Sequence, residues 1–142
     1  METLAPDPDK GADAYLTGGE TTGRTWTCTV KTACVEGAKV RLDMGFGLVA
    51  ARRLPQGRTA WLLRAFNAIK MSVIQLRITD AAGRTLDQME LQRPLTVDNF
   101  EGLAAVPEKD GCVRFYLISD DNFSGSQRTL LLAFDWKPPS GR

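Results

Sequence analysis

The chain has 142 residues, 43% hydrophobic and 25% charged, the composition of an ordinary globular chain of one domain at most. The 18 Lys and Arg against 17 Asp and Glu give a net charge of +1. Like charges never run beyond neighbouring pairs, so neither nucleic acid nor an anionic membrane surface is an expected partner. There is no His, which excludes the Ser-His-Asp triad, the Cys-His pair and nearly every catalytic zinc site.

Residues 1–23 contain two Pro, three Asp and few large apolar side chains beyond Leu4, Tyr15 and Leu16. This reads as a flexible lead-in. The first ten residues are acidic where an export signal would be basic and then apolar, and no apolar stretch approaches the roughly 20 residues of a membrane span. Neither an export signal nor a span is expected in this chain. Residues 24–30 alternate Trp26, Cys28 and Val30 against Thr25, Thr27 and Thr29, the period of a half-buried strand, and 34–42 would return beside it as a hairpin weakened by Gly37. Cys28, Cys34 and Cys112 lack metal or redox spacing. Three free, buried or half-buried thiols are expected, Cys28 and Cys34 being the pair placed to close a small hairpin disulfide if the chain is exported.

Strand character returns at 46–53, and Leu54-Pro55-Gln56-Gly57 turns the chain into 59–66. Residues 72–79 alternate apolar and polar side chains, Asp80-Ala81-Ala82-Gly83 makes a turn, and 85–91 gives a fourth strand, with a helical turn over 86–91 as its alternative. Four strands with short turns have the rhythm of a propeller blade, and equally of a plain meander or sandwich. A last unit has three strands, 100–106, 113–119 and 129–136, ending at Pro138-Pro139. The predicted fold is all-β and antiparallel, with about two propeller-like blades over 24–137, a tail at 138–142 and an incomplete ring whose open edges invite association.

Polar chemistry gathers around this last unit. Asp120, Asp121 and Asn122 put three oxygen-bearing side chains into one loop, which suits either a hard cation such as calcium or a plain Asx-type turn. If 100–106 and 113–119 pair antiparallel, Glu101 lies beside that loop, and Glu101, Asp120, Asp121 and Asn122 form one candidate cation site that otherwise needs an ion pair to neutralise it. Arg64 and Arg128 are the guanidinium candidates for an anionic substrate; partners for Arg64 are a carboxylate or the substrate, and Arg128 would also brace the acidic loop. Ser119 and Ser124 have no His to activate them.

The runs DNFEGLAAV (98–106) and RFYLISDDNFSGSQRTLLLAFDW (114–136), and more loosely LVAARRLPQGRTAWLLRAFN (48–67), resemble the C-terminal portion of the family called esterase-like activity of phytase. The resemblance covers roughly residues 47–137, and nothing before residue 23 contributes to it. It implies a β-propeller of which this chain holds part, a channel toward which Glu101 could point, and an exported or periplasmic protein. The implied activity is cation-assisted hydrolysis of phosphoesters or esters acting on a small polar or phosphorylated substrate. A noncatalytic module that binds a ligand or partner through its loop face, or an inactive remnant, are the alternatives.

Overall fold

The computed structural model describes residues 3–67, 71–92 and 94–139. Eleven strands and no helix lie among them: β1 (Thr3–Pro6), β2 (Ala14–Gly18), β3 (Thr25–Thr29), β4 (Val35–Glu36), β5 (Phe46–Leu54), β6 (Arg58–Asn67), β7 (Met71–Thr79), β8 (Thr85–Leu91), β9 (Phe100–Pro107), β10 (Val113–Ser119) and β11 (Leu131–Trp136). Strands pair antiparallel with their chain neighbours inside three separate sheets, a first of β1 to β4, a second of β5 to β8 and a third of β9 to β11. The all-β, antiparallel expectation holds, and the meanders stacked in chain order are consistent with an incomplete propeller-like ring. Three sheets stand where about two blades were predicted.

The difference comes from the N-terminus. Its low apolar content suggested a lead-in, yet Thr3, Ala5, Leu16 and Gly18 are buried, because β1 and β2 pair in register and lay this face on the second sheet. Small side chains serve here: the Thr3 hydroxyl donates to the Leu48 carbonyl at 3.4 Å, and Ala5 and Leu16 pack with Leu48, Trp61 and Leu63. The predicted strand 34–42 shrinks to β4, and the chain beyond it runs back so that the Val40 amide donates to the Gly23 carbonyl at 2.7 Å. Gly23 has φ +64, and a Cβ there would lie 2.1 Å from the Val40 carbonyl oxygen, so no other residue fits this approach. Residues 85–91 form β8, paired with β7, which rules out the helical turn; its start is held by the Asp80 carboxylate. That group accepts from the Arg84 amide and the Ala82 amide, each at 2.9 Å, and from the Arg84 side chain at 2.7 Å. The Arg84 hydrogen bonds hold it below its ordinary pKa.

The second sheet is the centre of the stack. Along β6, Trp61 and Leu63 face the first sheet while Ala60 and Leu62 face the third. A β-bulge in β5 between Leu48 and Ala50 changes the alternation, sending Leu48 toward the first sheet and Val49 with Ala50 toward the third. The third sheet answers with Phe100, Phe115 and Leu117, each 0% exposed. The ring of Phe115 meets Phe134 at 5.7 Å and Trp136 at 6.4 Å between centroids.

Cys28 and Cys34 form a disulfide across the turn from β3 to β4, where free thiols were expected; hairpin pairing brings the two positions face to face. Cys112 is a free thiol. Closing so short a loop removes denatured-state freedom worth about 2 kcal/mol. Cys28→Ser with Cys34→Ser should lower the free energy of urea unfolding by that order, and an unchanged midpoint would show that the bond does not constrain this hairpin.

Candidate functional site

Strand direction gathers one set of loops at a single end of the stack: the starts of β1, β5 and β9, the β2–β3 turn, the end of β6 and the long β10–β11 loop. The Leu48 amide donates to the Glu20 carbonyl at 2.9 Å, which fixes the β2–β3 turn against the start of β5. A bulge also lies in β9: Ile118 pairs with Gly102 but Ser119 pairs with Phe100, so Glu101 is left out of the ladder. Bulges re-aim side chains, and this one lets Phe100 enter the core while Glu101 turns toward β6. Gly102 permits it, since a Cβ there would stand 2.4 Å from Ile118 Cγ2.

The result is a polar cluster. The Arg64 guanidinium donates through Nη1 to Asn99 Oδ1 and to Glu101 Oε1, and Asn99 Nδ2 donates to the same Glu101 oxygen at 2.9 Å. Asn99 is buried, Arg64 half-buried and Glu101 exposed. Glu20, Val49, Arg64 and Glu101 line an open concavity of about 400 Å³, so one guanidinium and two carboxylates share a solvent-accessible hollow. Arg64 therefore has the carboxylate partner foreseen as one of its two options. Glu20 and Asn99 were not singled out from sequence: Glu20 sat in the supposed lead-in, and Asn99 gave no signal beyond its place in a turn-rich stretch.

The side chains of the acidic loop bond within the loop and to the strand that follows it. Asp120 Oδ1 accepts from the Asn122 amide at 3.0 Å, Asp121 Oδ1 from the Phe123 amide at 2.9 Å, and Asp121 Oδ2 from the Thr129 hydroxyl at 3.2 Å. Asn122 Nδ2 donates to Gln127 Oε1 at 3.0 Å. These are the loop's own turns, and Asn122 and Phe123 have positive φ within them. The loop is tied to the cluster through backbone, the Asp120 amide donating to the Asn99 carbonyl at 3.0 Å. Among the described residues, no three acidic or Cys side chains come together as a metal-holding group; Glu101, Asp120 and Asp121 are thus not gathered into one cage.

Arg128 braces the loop, its amide donating to Asp98 Oδ2 at 3.1 Å while its side chain is 63% exposed. The Ser119 hydroxyl adds a second brace, donating to the Arg128 carbonyl at 2.7 Å and accepting from the Leu130 amide at 2.8 Å. Arg128 lines a separate open concavity with Phe66, Met71 and Asp98, so the two predicted guanidinium contacts do not converge. A further cleft of about 160 Å³ between the first and second sheets holds Arg53 and Arg77. Each has its own carboxylate, Asp7 at 2.7 Å and Asp43 at 3.1 Å, the pattern of an ion pair that holds structure.

The family model of phytase-like proteins, described as esterase-like activity of phytase, matches residues 3–123. The chain belongs to this family. The match takes in β1 to β4, which the sequence resemblance had left out. A search of curated proteins and one of solved structures gave no match.

Asn99 joins Arg64 and Glu101 through its buried side chain and Asp120 through its backbone carbonyl, so losing the side chain removes one charge-assisted hydrogen bond from each of two strands. Asn99→Ala should cost about 1–3 kcal/mol, read by urea unfolding, against less than about 0.5 kcal/mol for Lys109→Ala at an exposed position. Equal effects of the two would mean that Asn99 organises nothing.

Proposed function

We propose that this phytase-like chain binds a small polar or phosphorylated ester at the Glu20–Arg64–Glu101 hollow, as part of a hydrolase. The observation that supports this most is the sharing of one open concavity by an Arg and two carboxylates. Arg64 is the group that meets the anion: a guanidinium offers five donors in a fork that fits phosphate oxygens. Glu101 holds that fork in place before substrate arrives, and Asn99 fixes both. Glu20 and Glu101 are acceptors able to take a proton from an attacking water. Arg128, at the neighbouring concavity, is the second anion contact for a substrate long enough to reach it.

A divalent cation, with calcium as the candidate, fits Glu20 and Glu101 better than the acidic loop. Loop oxygens of Asp120 and Asp121 already serve their own turns, whereas two carboxylates plus substrate oxygens are a common donor set for a hard cation. When bound, such an ion supplies charge neutralisation at the phosphate. The loop of Asp120, Asp121 and Asn122 then acts as a wall of the site.

The test is turnover of p-nitrophenyl phosphate and p-nitrophenyl acetate by the full chain, with calcium and with chelator. Wild type should turn over the phosphoester, and Arg64→Ala should lower kcat/KM for it at least about tenfold while changing the neutral acetate less. Absence of wild-type turnover, together with no chemical-shift change on adding inorganic phosphate, would overturn the reading.

A further inference from the structure

The contact between the first and second sheets is apolar around Ala5, Leu16, Leu48 and Leu63, and it turns polar toward the β5–β6 turn. Register sets Arg53, Thr59, Thr79 and Thr85 in one row across the second sheet, with Trp61 and Arg77 in the next row on the same face. These rows are the floor of the cleft of about 160 Å³. Its opposite wall is the segment 37–41. The Gly37 amide donates to the Thr25 carbonyl at 2.8 Å and the Thr25 hydroxyl to the Ala38 carbonyl at 2.8 Å, which lays this segment along β3, and the Arg41 carbonyl accepts from Arg77 Nη1. Val40 is buried between Lys39 and Arg41, two exposed residues that line the cleft.

Three observations point to a ligand here. The first is charge: Lys39, Arg41, Arg53 and Arg77 line the cleft against one carboxylate, Asp80, which Arg84 already takes. Arg53 and Arg77 have Asp7 and Asp43, and among the described residues no carboxylate pairs with Lys39 or Arg41. The second is an unused donor. Arg53 donates through Nη1 to the Thr59 hydroxyl and through Nη2 to Asp7, each at 2.7 Å, while its Nε is, among the described residues, the one buried side-chain polar atom without a partner. A buried donor without an acceptor is costly. The third is that packing does not ask for these groups, since apolar side chains in place of a buried ion pair are often neutral or stabilising, and the same two sheets meet through apolar side chains elsewhere.

We propose that this cleft is a second anion site and binds inorganic phosphate. Pockets for drug-sized ligands run from about 300 to 1,000 Å³, and about 150 Å³ holds a molecule the size of benzene, so this volume seats one small ion. Phosphate presents strong acceptor oxygens in several directions. The donors stand on both walls, Arg53 on the floor with Lys39 and Arg41 across from it, whereas a planar carboxylate would meet one wall. Bound phosphate neutralises the two rim charges and gives the Arg53 guanidinium the acceptor it lacks. The site is separate from the Arg64 hollow: Arg64 faces the third sheet, about 17 Å along β6 from Thr59, so the proposal does not rest on the reading of that hollow.

The experiment is a nuclear magnetic resonance titration of the full chain with inorganic phosphate, following the indole N–H of Trp61 and the Nε–H of Arg53, with sodium chloride at equal ionic strength as control. Both signals should move saturably in the wild type and equally in Arg64→Ala, and Lys39→Ala with Arg41→Ala should weaken the binding at least about tenfold while the rest of the amide spectrum stays folded. Signals that do not move with phosphate, or that move as much with chloride or acetate, overturn the proposal. So does wild-type affinity in the double variant, and so does loss of the movement in Arg64→Ala, which would place the phosphate in the other hollow. Movement confined to signals around Arg64 would overturn this site and leave the hollow's reading standing.

Discussion

The fold depends on one constraint: the second sheet must be covered on both faces. Leu62, Leu63 and Ile74 are fully buried, and they point to opposite sides of the same sheet. Burying such side chains is worth about 1.5–3 kcal/mol each, and neither neighbouring sheet alone covers both sets. The first sheet supplies the small Thr3 and Ala5 beside Leu16, and the third supplies Phe100, Phe115 and Leu117. The β5 bulge divides consecutive side chains between these two partners. Removing either outer sheet would expose half of the central one.

The polar site is a consequence of that packing. Arg64 lies near the end of β6 on the side of the third sheet, and burial of the surrounding strand leaves its guanidinium only the direction of Asn99 and Glu101. On β9 the bulge resolves a conflict, since Phe100 is needed inside while the next residue is a carboxylate that must not be. Leaving Glu101 out of the ladder satisfies both. The same displacement puts it across from Val49, the extra residue of the β5 bulge, so irregularities in two inner strands line one hollow.

Most of the strand pattern was legible from residue 46 onward, because alternation in β7 and short unbroken apolar runs in β6 and β10, each bounded by turn residues, suit strands far better than helices. The first sheet was not. Its β1 and β2 bury Thr, Ala and Gly, which carry little hydropathy signal and whose role is to let two sheets approach. Of the site, Arg64 and Glu101 were found through their chemistry, but their union was not, since it depends on a bulge that residue patterning does not encode. The acidic loop offered two readings, a cation site and a plain turn. Its composition suggested ligand binding, and its oxygens are engaged in shaping the turns that its positive-φ residues require. Cys28 and Cys34 met because of hairpin register, which spacing alone left open.

The central sheet as organiser is tested most directly by hydrogen exchange of backbone amides followed by mass spectrometry. If β6 is held from both sides, its amides and those of β7 should exchange most slowly and open only with global unfolding. Those of β4, β8 and β11, at the outer ends of their sheets, should exchange earlier. Protection of β6 no greater than that of β11, or loss of β6 protection while the third sheet stays closed, would contradict the account.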